Sequence, residues 1–474
     1  MPTPQRPWIL SSLVLAALLA AGAKAAAQAP DWSRFRGPNG TGIVPDAGYP
    51  TEFGPGKNLA WRAAVRPGKS SPVLSTRHVF LTAYDEGRLY TQCFDRATGR
   101  LVWERSEPPA RHEDAHVLSE PAAATPVTDG ENVYVFFRDF GVIAYDAAGG
   151  VLWKKPMGPF ANRMGAVASP IIAGTSLVLV LDQFERSEIV ALSLASGAVQ
   201  WQIARTETDA WTTPALYAPP GQPAQIITAG GGSFGGHSVA SGARLWTHPG
   251  MAPAMVASPV VIGDTVVGFG YGYDSTPPFA EALTRSDTDH DGRLSIAECG
   301  TSAWWIGIAK YFGNRDGFIV EGEWLAAHGA MEAPSSLVAV SLVKSADGAV
   351  TPRELWRYVK SFVAVVPSPL VLDGLVYTIK NGGILTVLAA DTGEVVKTGR
   401  VGSAPASYSA SPVATGGRIY FANEDGILAV VRAGKDWAVT ASNDLGEPLF
   451  ATPALADGRI YVRGQQSLFS FGAR

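Results

Sequence analysis

A Ser/Thr-Pro pair, followed by an apolar strand, a turn and a second strand, occurs eight times in this chain. The pairs begin at Ser71, Thr125, Ser169, Thr213, Ser258, Ser368, Ser411 and Thr452, so successive spacings are 54, 44, 44, 45, 110, 43 and 41 residues. A period of about 40–45 residues with strand alternation predicts propeller blades, since one small sheet cannot bury both of its faces and must stack on copies of itself. Each unit continues through a third strand to a Gly turn and a Trp, as in "LYTQCFDRATGRLVW", "GVIAYDAAGGVLW", "IVALSLASGAVQW" and "HSVASGARLW". Gly99, Gly150, Gly197 and Gly242 are expected to permit the turn before the outer strand. Trp103, Trp153, Trp201 and Trp246 recur too regularly for a sugar-binding row and are expected to wedge blade against blade. The last unit, "ATPALADGRIYVRGQQSLFSFGAR", stops after three strands. The stretch "NLAWRAAV" at 58–65, with Trp61 in the wedge position, is expected to supply the fourth and close the ring.

Composition agrees with a turn-rich chain whose strands are buried. Gly 52 and Pro 34 supply turns, while charged residues at 17% fall below the roughly 25% of ordinary soluble domains. A net charge of -4 and a pI near 6.0 offer no basic field for nucleic acid. Cys93 and Cys299 are too few to staple a chain of this size, so hydrophobic burial must hold it.

The first residues carry Arg6, an apolar run from Trp8 to about Gly22, and small residues that suit signal-peptidase cleavage after Ala25 or Ala29. Residues 1–29 therefore read as a secretory signal, and no later stretch is apolar enough to span a bilayer. The mature chain is expected to be a periplasmic or secreted monomer.

"DWSRFRGPNGTGI", "ATPVTDGENVYV" and "AYDAAGGVLW" carry a resemblance. Over roughly 31–471, apart from one insertion, the chain resembles the pyrroloquinoline-quinone-type (PQQ-like) β-propeller repeat proteins, in the branch similar to the outer-membrane barrel-assembly propeller. That resemblance implies an all-β, eight-bladed fold, and its members include both quinone enzymes and assembly scaffolds.

The 110-residue spacing between Ser258 and Ser368 exceeds one blade by about 65 residues, between "VVGFGYGYD" and "SSLVAVSL" of the same fifth blade. The excess is read as a small α-helical, EF-hand-like insertion at 275–334, dividing the propeller into 30–274 and 335–474. Within it, "DTDHDGRLSIAE" at 287–298 has the ligand spacing of a calcium loop. Asp287, Asp289 and Asp291 supply carboxylates, Gly292 the sharp turn, Arg293 a carbonyl, Ser295 a water-mediated contact and Glu298 a bidentate carboxylate. The flanking "PPFAEALTRS" sets Phe279 and Leu283 on one helical face, and "IAECGTSAWWIGIAKYF" is expected to be the exiting helix. A second loop at 312–323 has Asn314, Asp316, Gly317 and Glu323 in register but Phe312 at its first position, so it reads as degenerate, with Leu294 and Ile319 placed to bridge the two loops.

Three functions are compatible with these residues. The first is a calcium-binding scaffold for a protein or peptide partner. The second is a PQQ-dependent oxidoreductase, for which no quinone-binding residue can be assigned here. The third is a zinc hydrolase through "HEDAH", in which His112 and His116 would hold the metal and Glu113 activate water. That geometry needs a helix, whereas Pro108, Pro109 and Pro121 pin the segment as a loop. Asp182, Arg205 and Trp211 join His112 and His116 as residues that could face a shared funnel mouth, with a buried salt bridge and a packing tryptophan as the plainer expectation for the first three.

Overall fold

The computed structural model describes residues 32–113, 119–162, 164–208, 210–272, 275–345, 349–360, 366–402 and 404–472. Eight four-stranded antiparallel sheets follow one another as blades. Blade one runs Val73–Leu74, His78–Asp85, Arg88–Asp95, Leu101–Glu107, and blades two to seven repeat this meander in order. Blade eight takes Ala454–Ala456, Arg459–Arg463 and Ser467–Phe471 from one end of the sequence and Leu59–Ala64 from the other. The last pair is antiparallel, with Trp61 opposite Ser470, so the expected closing strand is present.

Middle strands are buried on both faces because each blade is covered by two neighbours. In blade two every residue of Val133–Phe137 and Gly141–Tyr145 is buried, whereas the outer strand Val151–Pro156 is mostly exposed. Clusters straddle the blade interfaces, as where Val142 and Ala144 of blade two meet Leu177 and Leu179 of blade three.

The Ser/Thr of each repeat closes a ring of hydrogen bonds. The backbone N–H of Ser71 donates to Oγ1 of Thr125, Thr125 to Ser169, Ser169 to Thr213, Thr213 to Ser258, Ser258 to Ser368, Ser368 to Ser411, Ser411 to Thr452, and Thr452 back to Oγ of Ser71, all at 3.0–3.1 Å. All eight residues are buried, so each bond satisfies a donor that water does not reach. The 110-residue spacing does not break the circle, because the excess lies outside it.

Tryptophans brace the outer rim. The indole N–H groups of Trp61, Trp103, Trp153, Trp201 and Trp356 each donate to a backbone carbonyl of the next blade, at 2.8–3.2 Å. A Cβ on Gly99, Gly149, Gly197, Gly242 or Gly393 would stand within 2.4–2.7 Å of one of these rings, and all five have φ between +69° and +80°. In blade two the turn glycine is therefore Gly149, not Gly150, since only Gly149 is left-handed and in contact with Trp103. Trp246 sits between blades four and five but turns its N–H onto Gln225 of its own blade, at 2.7 Å. A one-residue register shift recurs between third and fourth strands, as where Trp103 faces Cys93 but Leu101 faces Phe94. Such a bulge re-aims the neighbouring side chain. Here it directs the Trp toward the next blade and leaves Val102, Leu152, Leu245 and Leu355 exposed.

Three helices lie between strands two and three of blade five, Thr265–Gly270 and Ser336–Lys344: α1 (Phe279–Ser286), α2 (Ala303–Tyr311) and α3 (Glu321–Ala330). Among the described residues no helix is long and apolar enough to cross a membrane.

Candidate functional site

A cavity of about 660 Å³ lies on the propeller axis and includes all eight ring residues. The antiparallel meander puts the turns between strands one and two on one face, and the connections between strands two and three, with the blade-to-blade links, on the other. The N-terminal segment runs along the first face. Trp32 and Ser33 accept from Leu74 and Thr128 at 2.9 Å, Asn39 exchanges two bonds with Leu216, and Gly42 and Val44 pair with Ala414. From that segment Phe35 reaches the cavity.

The opposite mouth is apolar and aromatic. Met164, Trp211, Val256, Tyr271 and Phe450 line it, together with Trp304 from α2 and Met331, which follows α3. The helical insertion therefore supplies part of the cavity wall. It leans across the mouth to blade three, where Phe184 stacks on Tyr311 at 5.2 Å and meets Phe312 edge-on at 5.2 Å. Arg315 pairs with Glu185 at 3.4 Å on the same side.

Of the residues singled out from sequence, Trp211 lines the cavity, its indole N–H bonded to Asn162 at 2.9 Å. Asp182 and Arg205 lie away from the cavity wall, as a buried two-point pair at 2.7 and 3.1 Å. Arg205 also donates to Thr228 and meets the His237 ring, while Glu207 links it to Arg244. Burial and the Arg205 charge push the His237 imidazole down to about 4. His112 is exposed, and residues 111–113 are not helical. The Glu113 carboxylate accepts from Arg111 and from the Phe160 N–H. His116 lies outside the described residues.

In the insertion, carboxylate oxygens of Asp287, Asp289 and Asp291 lie within 4.8 Å of one another. Asp287 accepts from the Gly292 N–H through Oδ2, while its buried Oδ1 has no partner. Gly292 has φ +79°, as the sharp turn requires. Arg293 clamps Asp291 at 2.7 Å, and Glu298 accepts from the N–H and hydroxyl of both Thr288 and Ser295, which hold its carboxyl down at about 2. Leu294 pairs with Ile319 and Ser295 with Phe318. Phe279 and Leu283 share a cluster with Trp324, whose N–H donates to Pro277 at 2.7 Å. The exiting helix starts later than expected, at Ala303, because Gly300 turns left-handed at φ +56° and Ser302 caps the Trp305 N–H. Cys93 and Cys299 are both free and buried, with burial pushing each thiol up.

Fold and cavity together define a closed eight-bladed β-propeller with a ligand-sized axial pocket. A family model described as outer membrane protein assembly factor BamB matches residues 59–269 and 340–474, and the chain belongs to this PQQ-like repeat family. The unmatched 270–339 holds the three helices. No curated protein matches the sequence. Among solved structures, BamB from Moraxella catarrhalis is similar at 13% identity and TM-score 0.56, covering 88% of this chain and 99% of that one. A europium-containing methanol dehydrogenase aligns at 10% identity and TM-score 0.59, covering 94% and 99%. The quinohemoprotein alcohol dehydrogenase from Comamonas testosteroni aligns at 12% identity and TM-score 0.57, covering 95% and 82%. At these identities the likeness is one of fold.

Proposed function

We propose that this chain is an exported scaffold that captures a protein or peptide partner at the axial mouth, with Ca2+ held in the 287–298 loop of an EF-hand-like insertion. The observation that carries this reading is the mouth itself: an aromatic wall built by blade loops and completed by Trp304 and Met331 of the insertion. Apolar pockets with a few polar groups at the base suit side chains presented by a partner. The family description, an outer membrane protein assembly factor, agrees with a binding role outside the cytoplasm, after removal of residues 1–29.

The loop's donors suit a hard cation. Asp287, Asp289, Asp291 and Glu298 bring carboxylate oxygens, Arg293 a carbonyl and Ser295 a hydroxyl, and the unpartnered Asp287 Oδ1 is an oxygen in need of a cation or donor. Calcium there would supply positive charge and order the loop from which α2, and so Trp304, departs. The 312–323 loop does not join it, since Phe312 offers no side-chain oxygen at the first ligand position.

Pull-down from an envelope extract, using the full chain with and without chelator, tests the reading. Partners captured by the wild type and lost with Trp304→Ala are expected. A Trp304→Ala protein that retains every partner overturns it.

A quinone-dependent oxidoreductase is the second reading, favoured by the dehydrogenase neighbours alone. No carboxylate is present among the described cavity-lining residues, whose titratable side chains are Lys69 and Tyr271. Reconstitution with PQQ and a dye acceptor, followed by spectrum and turnover, decides between the two.

A further inference from the structure

A second cavity, of about 540 Å³, lies on the face crossed by the N-terminal segment and shares no lining residue with the axial one. First strands of three successive blades wall it, with Ile172 from blade three, Leu216 from blade four and Val261 from blade five. Pro219 and Pro220 extend the wall past the end of the blade-four strand. The Asn39 side chain exchanges bonds of 2.7 and 2.8 Å with the Leu216 backbone, which fixes the N-terminal segment to this wall.

That segment brings one guanidinium group to the apolar cup. Arg34 lines the cavity and is 7% exposed. Among the described residues it makes a single hydrogen bond, from Nη2 to the carbonyl of Pro214. Its Nε is buried without a partner, and Nη1 is unbonded as well. Other buried arginines are compensated: Arg138 by Asp139 at 2.7 Å, Arg205 by Asp182 at 2.7 Å, and Arg463 by the carbonyls of Arg66, Ser70 and Thr82. Burial pushes Arg34 down to about 10 with no carboxylate to offset it, so the group stays charged at neutral pH.

Asp264 also lines the cavity but is committed elsewhere. Its Oδ1 accepts from the Tyr217 hydroxyl at 2.7 Å and pairs with Lys344 at 2.8 Å. Lys344 cancels its charge, and Arg34 leaves the cavity net positive. A cation taken out of water without a counter-charge carries a desolvation cost, and unused N–H donors add to it. A carboxylate answers both through charge-assisted hydrogen bonds, while the surrounding walls call for a hydrocarbon body. We propose that this cavity binds a small organic monocarboxylate, with its charged end on Arg34 and its apolar body against Ile172, Leu216, Val261 and the two prolines.

The test uses the full chain with 4-bromobenzoate, with 4-bromobenzamide as the neutral analogue of similar shape and acetate as the carboxylate without a ring. Calorimetry is expected to find one 4-bromobenzoate site, tighter than either control by about tenfold or more and weakened by about the same factor in Arg34→Gln. Crystals soaked in the acid are expected to show a bromine anomalous peak between Leu216 and Val261. Absence of binding, equal binding of acid and amide, a bromine peak in the axial cavity alone, or an Arg34→Gln protein that binds like wild type each overturns the proposal. The amide comparison and the bromine map use the wild type, so they decide even where Arg34→Gln does not fold.

Discussion

The N–H of Thr452 donates to Oγ of Ser71 at 3.1 Å across 381 residues of sequence, completing a circle of eight identical contacts. Because each contact satisfies a buried donor of one blade with the side chain of the next, the ring couples every blade to two neighbours.

Ser71→Ala leaves the Thr452 N–H buried and unpaired, and should cost about 1–3 kcal/mol. Ser71→Thr keeps the acceptor, as Thr125, Thr213 and Thr452 already do at equivalent places, and should recover most of the loss. Denaturant unfolding of both variants measures the difference.

Trp103 packs on Gly149 and donates to Ala147 at 3.0 Å. Trp103→Ala should destabilise by about 3–5 kcal/mol, whereas Trp103→Phe keeps the packing and loses chiefly one hydrogen bond of about 1 kcal/mol. Gly149→Ala should also destabilise, because its φ of +80° is costly for alanine and the added carbon meets the indole. Thermal melts of the three rank them.

His237 predicts a loss of stability in acid. Its folded value is about 4 against about 6.5 for the unfolded chain, so the unfolded state takes up the proton first. Stability is complete above about pH 6.5 and falls progressively as pH drops through about 4, by on the order of 3 kcal/mol for this residue. Arg205, Arg244 and Glu207 are the charged groups acting on this imidazole. His328 is depressed too, so the contribution is isolated by comparing the pH profiles of wild type and His237→Gln, the latter expected to be shallower.

Removing one partner of the Asp182–Arg205 pair leaves a buried charge alone. Asp182→Asn should cost about 3–5 kcal/mol, well above an exposed pair such as Arg315–Glu185, worth about 0–1 kcal/mol. Urea titrations of Asp182→Asn and Glu185→Gln test the contrast.

Calcium titration by calorimetry should find one site, weakened at least tenfold by Asp287→Asn and by Glu298→Gln, and unaffected by Asp316→Asn in the second loop.

The propeller was legible because its repeated residues have repeated jobs: the Ser/Thr-Pro pairs mark the hydrogen-bonded circle, and the Gly and Trp mark the braces. Blade closure by 58–65 followed from a missing fourth strand. The axial cavity was not legible, since Phe35, Trp211, Trp304 and Phe450 come from segments far apart in sequence and no local pattern joins them. Arg34 and Arg36, both buried in the structure, read only as part of a family signature, because nothing in sequence tells a buried arginine from a surface one. The late start of α2 was missed because Gly300 and Ser302 were read as interior to an apolar helical stretch, where left-handed φ and capping outweighed that pattern. In blade two, two adjacent glycines left the turn position ambiguous by one residue.

Leu59–Ala64 waits for Ser467–Phe471, about 400 residues further along the chain, to become its partner. Pairing over such a separation carries a large entropic toll and slows the final step of folding. Until that pairing forms the chain holds an unlatched arc with raw sheet edges, open to pairing with another chain, so dilute refolding favours closure over association.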